Sequence, residues 1–363
     1  MSFNLDLKKV EIPELKEVKA YRGSYYLVGK DNKFFNELIY LYEKSSIHNS
    51  FINNFTQKTI GSGFIGSNDQ SQAIIESMDL NETLGKVVLD YGIFGGFCLE
   101  IIWNTLHTKI TEVNYLDFSK VRSGYIDEDT DEVELYSYSY DWFAYHKNIS
   151  IYKKFDTSEN SDNRQIFYYK GHHPGTDIYP RPLYLGGLKY IYTDIELSKY
   201  YVNLVKNNFV GNTIINIPNG GNMSADKQVE FETGIKDNFT SSENAGSIVV
   251  LYGDGENEVQ LLEFGKGADD AKYQWITQQT TDQLVISHRI PNPIIAGVRV
   301  PGSLGGTQEM SDAENIYNKN VIYPSRIIFT RTFQELNKWL VVPLEVEPIT
   351  DVSLFESIED TPA

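Results

Sequence analysis

The stretch from Leu188 to Phe209 restricts the fold more than any other. Leu188, Ile191, Ile195, Ser198, Val202, Val205 and Phe209 advance by alternating steps of three and four, with Ser198 as the polar break. Tyr201 and Leu204 widen the apolar face. A helix from Tyr184 to Phe209 spans about 39 Å at 1.5 Å per residue. Apolar residues at heptad spacing demand a helix alongside, from the same chain or from a neighbouring one.

A second long helix is expected from Asp270 to Arg289. Its face is polar: Gln278, Gln279, Thr280, Thr281 and Gln283 sit among Trp275, Ile276, Leu284 and Ile286. A helix of this kind bridges layers or lies against another chain. The loop IPNPIIAGVRVPGSLGGT follows, with Pro291, Pro293, Pro301, Gly297, Gly302, Gly305 and Gly306. A third helix is expected from Thr307, with Met310, Ala313, Ile316, Tyr317, Val321, Pro324 and Ile328 as one stripe that resumes through Ile327, Phe333, Leu336 and Leu340. Pro324 lies inside that stripe. It removes a backbone bond and crowds the preceding turn, so a kink is expected there.

Between the two long helices the chain reads as strand, helix, strand, strand: NTIINIPNGG, SADKQVEFETGIKDNFT, AGSIVVLYGDG and EVQLLEF. The N-terminal half reads as α+β. Phe34, Phe35, Leu38, Ile39 and Leu41 mark one helix, residues 70 to 90 another, and Phe97 to Trp103 a strand. Tyr136, Tyr138, Tyr140 and Trp142 alternate as one face of a strand, read as a packed sheet face. The acidic run DEDTDEVE has Glu132 and Tyr138 where a calcium loop needs Gly and Glu, so it reads as a solvated hairpin tip.

Other motifs fall short of chemistry. GSGFIGS, with Gly61, Gly63 and Gly66, matches a dinucleotide fingerprint in spacing, but its flanks are polar where a buried strand is required, and it reads as a turn. His172 and His173 lack a third ligand at helical spacing. GKG at Gly265 to Gly267 lacks the rest of a phosphate loop. Cys98 is the one cysteine, read as a buried, inert thiol. His48 reads as structural. No catalytic set, metal centre or cofactor site is expected, nor a secretory leader or membrane span. The formal net charge is -18, opposite in sign to a protein that grips phosphates tightly.

Three passages carry a family resemblance. HRIPNPIIAGV leads through a Gly-rich loop to Gln308, Glu309 and the kinked YPSRIIFTRTFQEL. YPRPLYLGGL precedes the heptad helix. Leu116, Asp117, Val121 and Arg122 follow a helix and a Gly-rich turn. Together, over residues 45 to 340, the chain resembles the portal proteins of tailed phages. The resemblance implies an α+β wing (1–183), a stem helix (184–210), a strand-helix-strand clip (211–268), a second stem helix (269–290), a tunnel loop (291–307), a kinked helix (308–340) and a short acidic tail (341–363) in place of a helical crown. It further implies a dodecameric ring at one capsid vertex of a virion. Double-stranded DNA would pass a loop of Arg299, Val300, Pro301, Gly302, Ser303, Leu304, Gly305, Gly306 and Thr307. Leu188, Ile191, Ile195, Val202, Val205 and Phe209 would pack the stem, and Pro324 would mark the kink. The implied partners are further copies, the terminase large subunit, which supplies the ATPase, the major capsid protein and a head-tail adaptor. Another phage structural protein, a head-tail adaptor or minor capsid protein, is the alternative. The heptad helix followed by a clip-like insert separates the two.

Overall fold

The structure is a computed structural model. It describes residues 14–351 except 22, 131, 145–147, 158–161, 207–211, 219–223, 225, 228, 231–232, 234–247, 254–259, 265–269 and 299–306. The chain forms two compact units, one from residues 1–191 and 283–363, the other from 192–282.

In the first unit a short ribbon, β1 (Glu17–Lys19) and β2 (Tyr26–Val28), precedes four helices: α1 (Phe34–Lys44), α2 (Ser46–Ile60), α3 (Asp69–Ser77) and α4 (Leu80–Phe94). Six strands follow: β3 (Gly96–Trp103), β4 (Ile110–Tyr115), β5 (Val121–Ser123), β6 (Leu135–Tyr138), β7 (Ser150–Lys154) and β8 (Arg164–Lys170). They form one sheet in the order β4-β3-β8-β7-β6-β5. Its pairs are antiparallel except β7 with β8, which pair in parallel over two residues.

Strand β3 is the centre of the core. Phe97, Cys98, Leu99, Ile101 and Trp103 are all buried, so both of its faces are covered. Helix α4 sets Leu84, Val87, Val88 and Tyr91 on one side at helical spacing. Gly95 then turns the chain with φ +80; a Cβ there would lie 2.1 Å from the Arg181 carbonyl oxygen, so the tight turn requires glycine. Cys98 donates to the Leu116 carbonyl at 3.2 Å, and burial pushes its thiol pKa up, which leaves it without nucleophilic character. Arg122 is wholly buried between Phe35 and Trp142. It donates to Asn32 Oδ1 at 2.6 Å and to the carbonyls of Ser119 and Val121. Those acceptors offset the cost of burying a guanidinium. Desolvation still lowers its pKa to about 10.

Both sheet edges are met by other parts of the unit. Tyr25 bridges to Gly124 beside β5, and Ile110 of β4 pairs with Leu340.

The tyrosine stripe is shorter than its alternation suggested. Strand β6 ends at Tyr138, and Tyr140 is 78% exposed. Asp141 is the cause. Its carboxylate accepts from the Phe143 amide at 2.8 Å and its carbonyl accepts from Ser139 Oγ, so the chain bends before Trp142 returns to the core. The acidic run is a hairpin tip: Asp127 Oδ1 accepts from the amides of Asp129 and Thr130, and the Asp127 amide donates to the Glu132 carbonyl.

In the second unit, β9 (Asn212–Pro218) lies between β10 (Ile248–Gly253) and β11 (Gln260–Phe264). Strand β10 runs parallel to β9, so a crossover must join them. Asp226, Lys227, Val229, Glu230 and Thr233 within that crossover are helical; most of the rest of the expected helix lies outside the described residues. Helices α5 (Leu188–Lys206) and α6 (Asp270–Ser287) extend through this unit. Tyr200 stacks on Tyr273 at 4.5 Å, and Tyr201 Oη meets Thr277 Oγ1 at 3.0 Å. Of the polar face of α6 only Thr280 and Thr281 are buried, and threonines on this helix bond backward along it: Thr281 Oγ1 donates to the Thr277 carbonyl, and Thr277 Oγ1 to that of Tyr273.

The last long helix lies in the first unit. It comprises α7 (Thr307–Tyr317), a π-helical turn (Asn318–Ile322) and α8 (Tyr323–Asn337). Carried backward from Phe329, Phe333 and Leu336 at 3.6 residues per turn, an unbroken α-helix would turn Asn315 and Ser311 toward the core. The π turn holds an extra residue and brings Tyr317 and Ala313 there instead. Ile316 and Ile327, which the sequence stripe placed on the packed face, are 50% and 47% exposed; Ile327 sits two residues before Phe329 on α8 and so points away from the core.

Candidate functional site at the root of the Pro- and Gly-rich loop

The loop is held by its two roots. On the first side, α6 ends in a reverse turn at His288 and Arg289, the latter in left-handed conformation with φ +56. Asn292 then caps a 3-10 turn at Pro293–Ala296, its Oδ1 accepting from the Ile294 amide at 3.0 Å, and Gly297 closes it with φ +76. Proline at the first position of that turn costs no hydrogen bond, since its amide would have no partner there. Ser50 of α2 donates to the Ala296 carbonyl. On the second side, Glu314 of α7 pairs with Lys58 of α2. Asn292 Nδ2 donates to Glu309 Oε1 at 3.3 Å and ties the two roots together. Helix α2 is thus the fixed bar to which both ends of the loop are attached.

Behind the first root lies a pair of histidines, His48 buried and His288 half-buried. His48 Nδ1 and His288 Nε2 are 3.0 Å apart, so one ring donates and the other accepts. The Tyr184 ring lies nearly parallel to His288 at 5.2 Å and edge-on to His48 at 4.4 Å, while Tyr184 Oη donates to the Ile93 carbonyl at 2.8 Å. Burial lowers the pKa of both histidines, to about 3 for His288; for His48 the neighbouring His288 adds to the effect. They are neutral packing groups at neutral pH. Nearby, a Cβ on Gly187 would lie 2.4 Å from Ser287 Oγ, so glycine is what lets the entry to α5 approach the end of α6.

The residues singled out from the sequence are distributed as follows. Arg299, Val300, Pro301, Gly302, Ser303, Leu304, Gly305 and Gly306 lie outside the described residues, and Thr307 is the first residue of α7. Pro324 is the second residue of α8, directly after the π turn and exposed. Leu188, Ile191 and Ile195 are buried, at 4%, 0% and 3% exposure. Val202 on the same helix is 53% exposed. The side chain of Val205 and the whole of Phe209 lie outside the described residues. Tyr201, Trp275 and Ile286 are also large apolar side chains open to solvent on α5 and α6.

Two features were not seen in the sequence. The π turn has no compositional signal. Beyond α8, residues 344–351 fold back along residues 62–67 and give Gly61 a structural reason, while Gly66 is set by its close approach to α3. A Cβ on Gly61 would lie 2.3 Å from the Thr350 carbonyl oxygen, and one on Gly66 would lie 2.4 Å from the Gln72 amide nitrogen.

No family model matches the chain, and no curated protein matches it. Solved structures do. A chain in the virion of a native gene transfer agent particle superposes with a TM-score of 0.56 at 14% identity, over 92% of this chain and 85% of that one. The fold is shared. A chain in the neck of an empty gene transfer agent particle, computed with C6 symmetry, gives 0.55 at 14% identity over 92% and 86%. One in the neck of the native particle, computed with C12 symmetry, gives 0.55 at 15% identity over 89% and 85%. The mixed α+β arrangement is common to this chain and to these particle chains along nearly their whole length.

Proposed function

We propose that this protein is a portal-type structural component of a phage-like head-tail neck, assembling as a dodecameric ring at one vertex of a virion capsid. The observation that carries the proposal is the nearly full-length fold likeness to neck chains, one of them in a neck computed with C12 symmetry. The exposed apolar residues on α5 and α6 support it, because copies packed around a ring would cover them. In this reading the protein is no enzyme. The terminase large subunit docks on the second unit and supplies the ATPase, while the first unit meets the major capsid protein and a head-tail adaptor follows once packaging is complete.

The channel works passively. A chain with a net charge of -18 repels phosphate on average, so double-stranded DNA slides through rather than binding. The residues from Arg299 to Thr307 face the DNA, and the glycines among them let the backbone follow the duplex. In this reading Arg299 touches phosphate transiently; the alternative is that it pairs with a carboxylate of an adjacent subunit. Packaging assays on Arg299→Glu test this role: the variant should form rings yet yield few full heads. Normal full-head yield would remove Arg299 from the DNA path.

A further inference from the structure

The segment after α8 is attached to the first unit along most of its length. Asn337 brackets Leu344, donating to its carbonyl at 2.8 Å and accepting from its amide at 2.7 Å. The Ser67 amide donates to the Glu345 carbonyl at 2.8 Å, and the Glu347 amide to the Ile65 carbonyl at 2.9 Å. Ser62 and Thr350 bond twice, from the Ser62 amide to the Thr350 carbonyl at 3.0 Å and from the Thr350 amide to Ser62 Oγ at 3.1 Å.

This strap runs to the π turn. Asp351 Oδ1 meets Arg326 Nη2 at 2.8 Å, and its Oδ2 accepts from Tyr323 Oη at 2.8 Å and from Asn318 Nδ2 at 3.3 Å. Asn318 is the first residue of the π turn, Tyr323 the first of α8, and Arg326 lies one turn further on. One carboxylate therefore spans the whole irregular stretch. Backbone bonding is weakest there, because the π turn departs from α geometry and Pro324 has no amide to donate. Arg326 is buried and carries the link inward, donating to the carbonyls of Thr59 and Lys58 at the end of α2. Lys58 in turn pairs with Glu314 of α7, the helix that follows the Gly-rich loop.

We infer that the strap is a clasp: with Asp351 seated, the π turn is held and α7 presents the loop from a rigid base, and with the strap lifted, the turn and the base of the loop loosen together. A protein that binds or displaces residues near Asp351 would thereby change the base of the loop from the far side of the π turn. The consequence for DNA passage rests on the portal reading; the clasp itself does not.

Amide hydrogen exchange of the full chain tests it, read by mass spectrometry on peptides from the π turn and from α4 as control. Asp351→Ala should raise exchange in residues 318–323 by about tenfold, as expected for loss of bonds to a charged group. It should raise exchange at the start of α7 by less and leave α4 unchanged. Asp351→Asn keeps the shape and two acceptor contacts and removes the charge facing Arg326, so its rise should be smaller. Unchanged exchange at 318–323 would overturn the clasp, and so would a rise spread evenly over α4 and the π turn, which reports general destabilisation. A chain that never forms rings would defeat the portal reading and leave this result standing.

Discussion

The two halves of α5 carry one heptad pattern and meet different fates. Leu188 and Ile191 in the first unit and Ile195 at the start of the second are buried, whereas Tyr201 and Val202, about two turns beyond Ile195, stand open. A repeat that the chain satisfies only in part teaches where its own core ends. The buried half is folding information. The open half has no cover among the described residues, and under the ring proposal that cover comes from another copy.

The sharpest way to break this comparison is to insert charge into each half. Ile191→Asp should prevent folding of the first unit, because an unpaired carboxylate would enter a fully buried position; circular dichroism would show the loss. Val202→Asp should fold normally and fail to assemble, as read by sedimentation. Equal damage from both would mean that the halves are not distinct. Milder truncations should differ in the same direction: Ile191→Ala should cost about 2–5 kcal/mol in chemical denaturation of the dissociated chain, as for other buried large-to-small changes. Val202→Ala should stay within about 0.5 kcal/mol.

A smaller effect concerns acid. The folded pKa of His48 and His288 lies below the ordinary value, so the unfolded chain takes up protons first as pH falls. The contribution of His288 is fully present above about pH 6.5 and is lost progressively toward about pH 3, and that of His48 is lost in the same direction as pH falls. The thermal midpoint of the wild type should decline across that window, and a His48→Gln/His288→Gln protein should decline less steeply. Identical slopes would show that the pair does not govern the acid response.

Much of the architecture was legible because it follows from periodicity. The start of the heptad at Leu188, the polar helix at Asp270, the strand at Phe97 and the strands of the second unit all express spacing that water enforces. The turn reading of GSGFIGS also matched, although one of its reasons, the returning strap against Gly61, involves contacts some 280 residues away in sequence and leaves no local mark. The π turn was illegible for a different cause. A stripe drawn at 3.6 residues per turn absorbs one extra residue without an obvious error. The bend after Tyr138 did have a signal: Asp141 is a residue that bonds its own backbone and ends strands. Of the candidate site, the roots at Asn292, Pro293 and Gly297 could be read from turn chemistry, but the attachments to Ser50 and Lys58 are long-range and could not.

Mass measurement of the purified wild-type protein, paired with negative-stain images, tests the central claim most directly. The account predicts a closed ring with a central hole and a mass of about twelve chains, the order of the symmetry used for the similar native neck. A folded chain that stays monomeric, alone and with its capsid partners present, would contradict it.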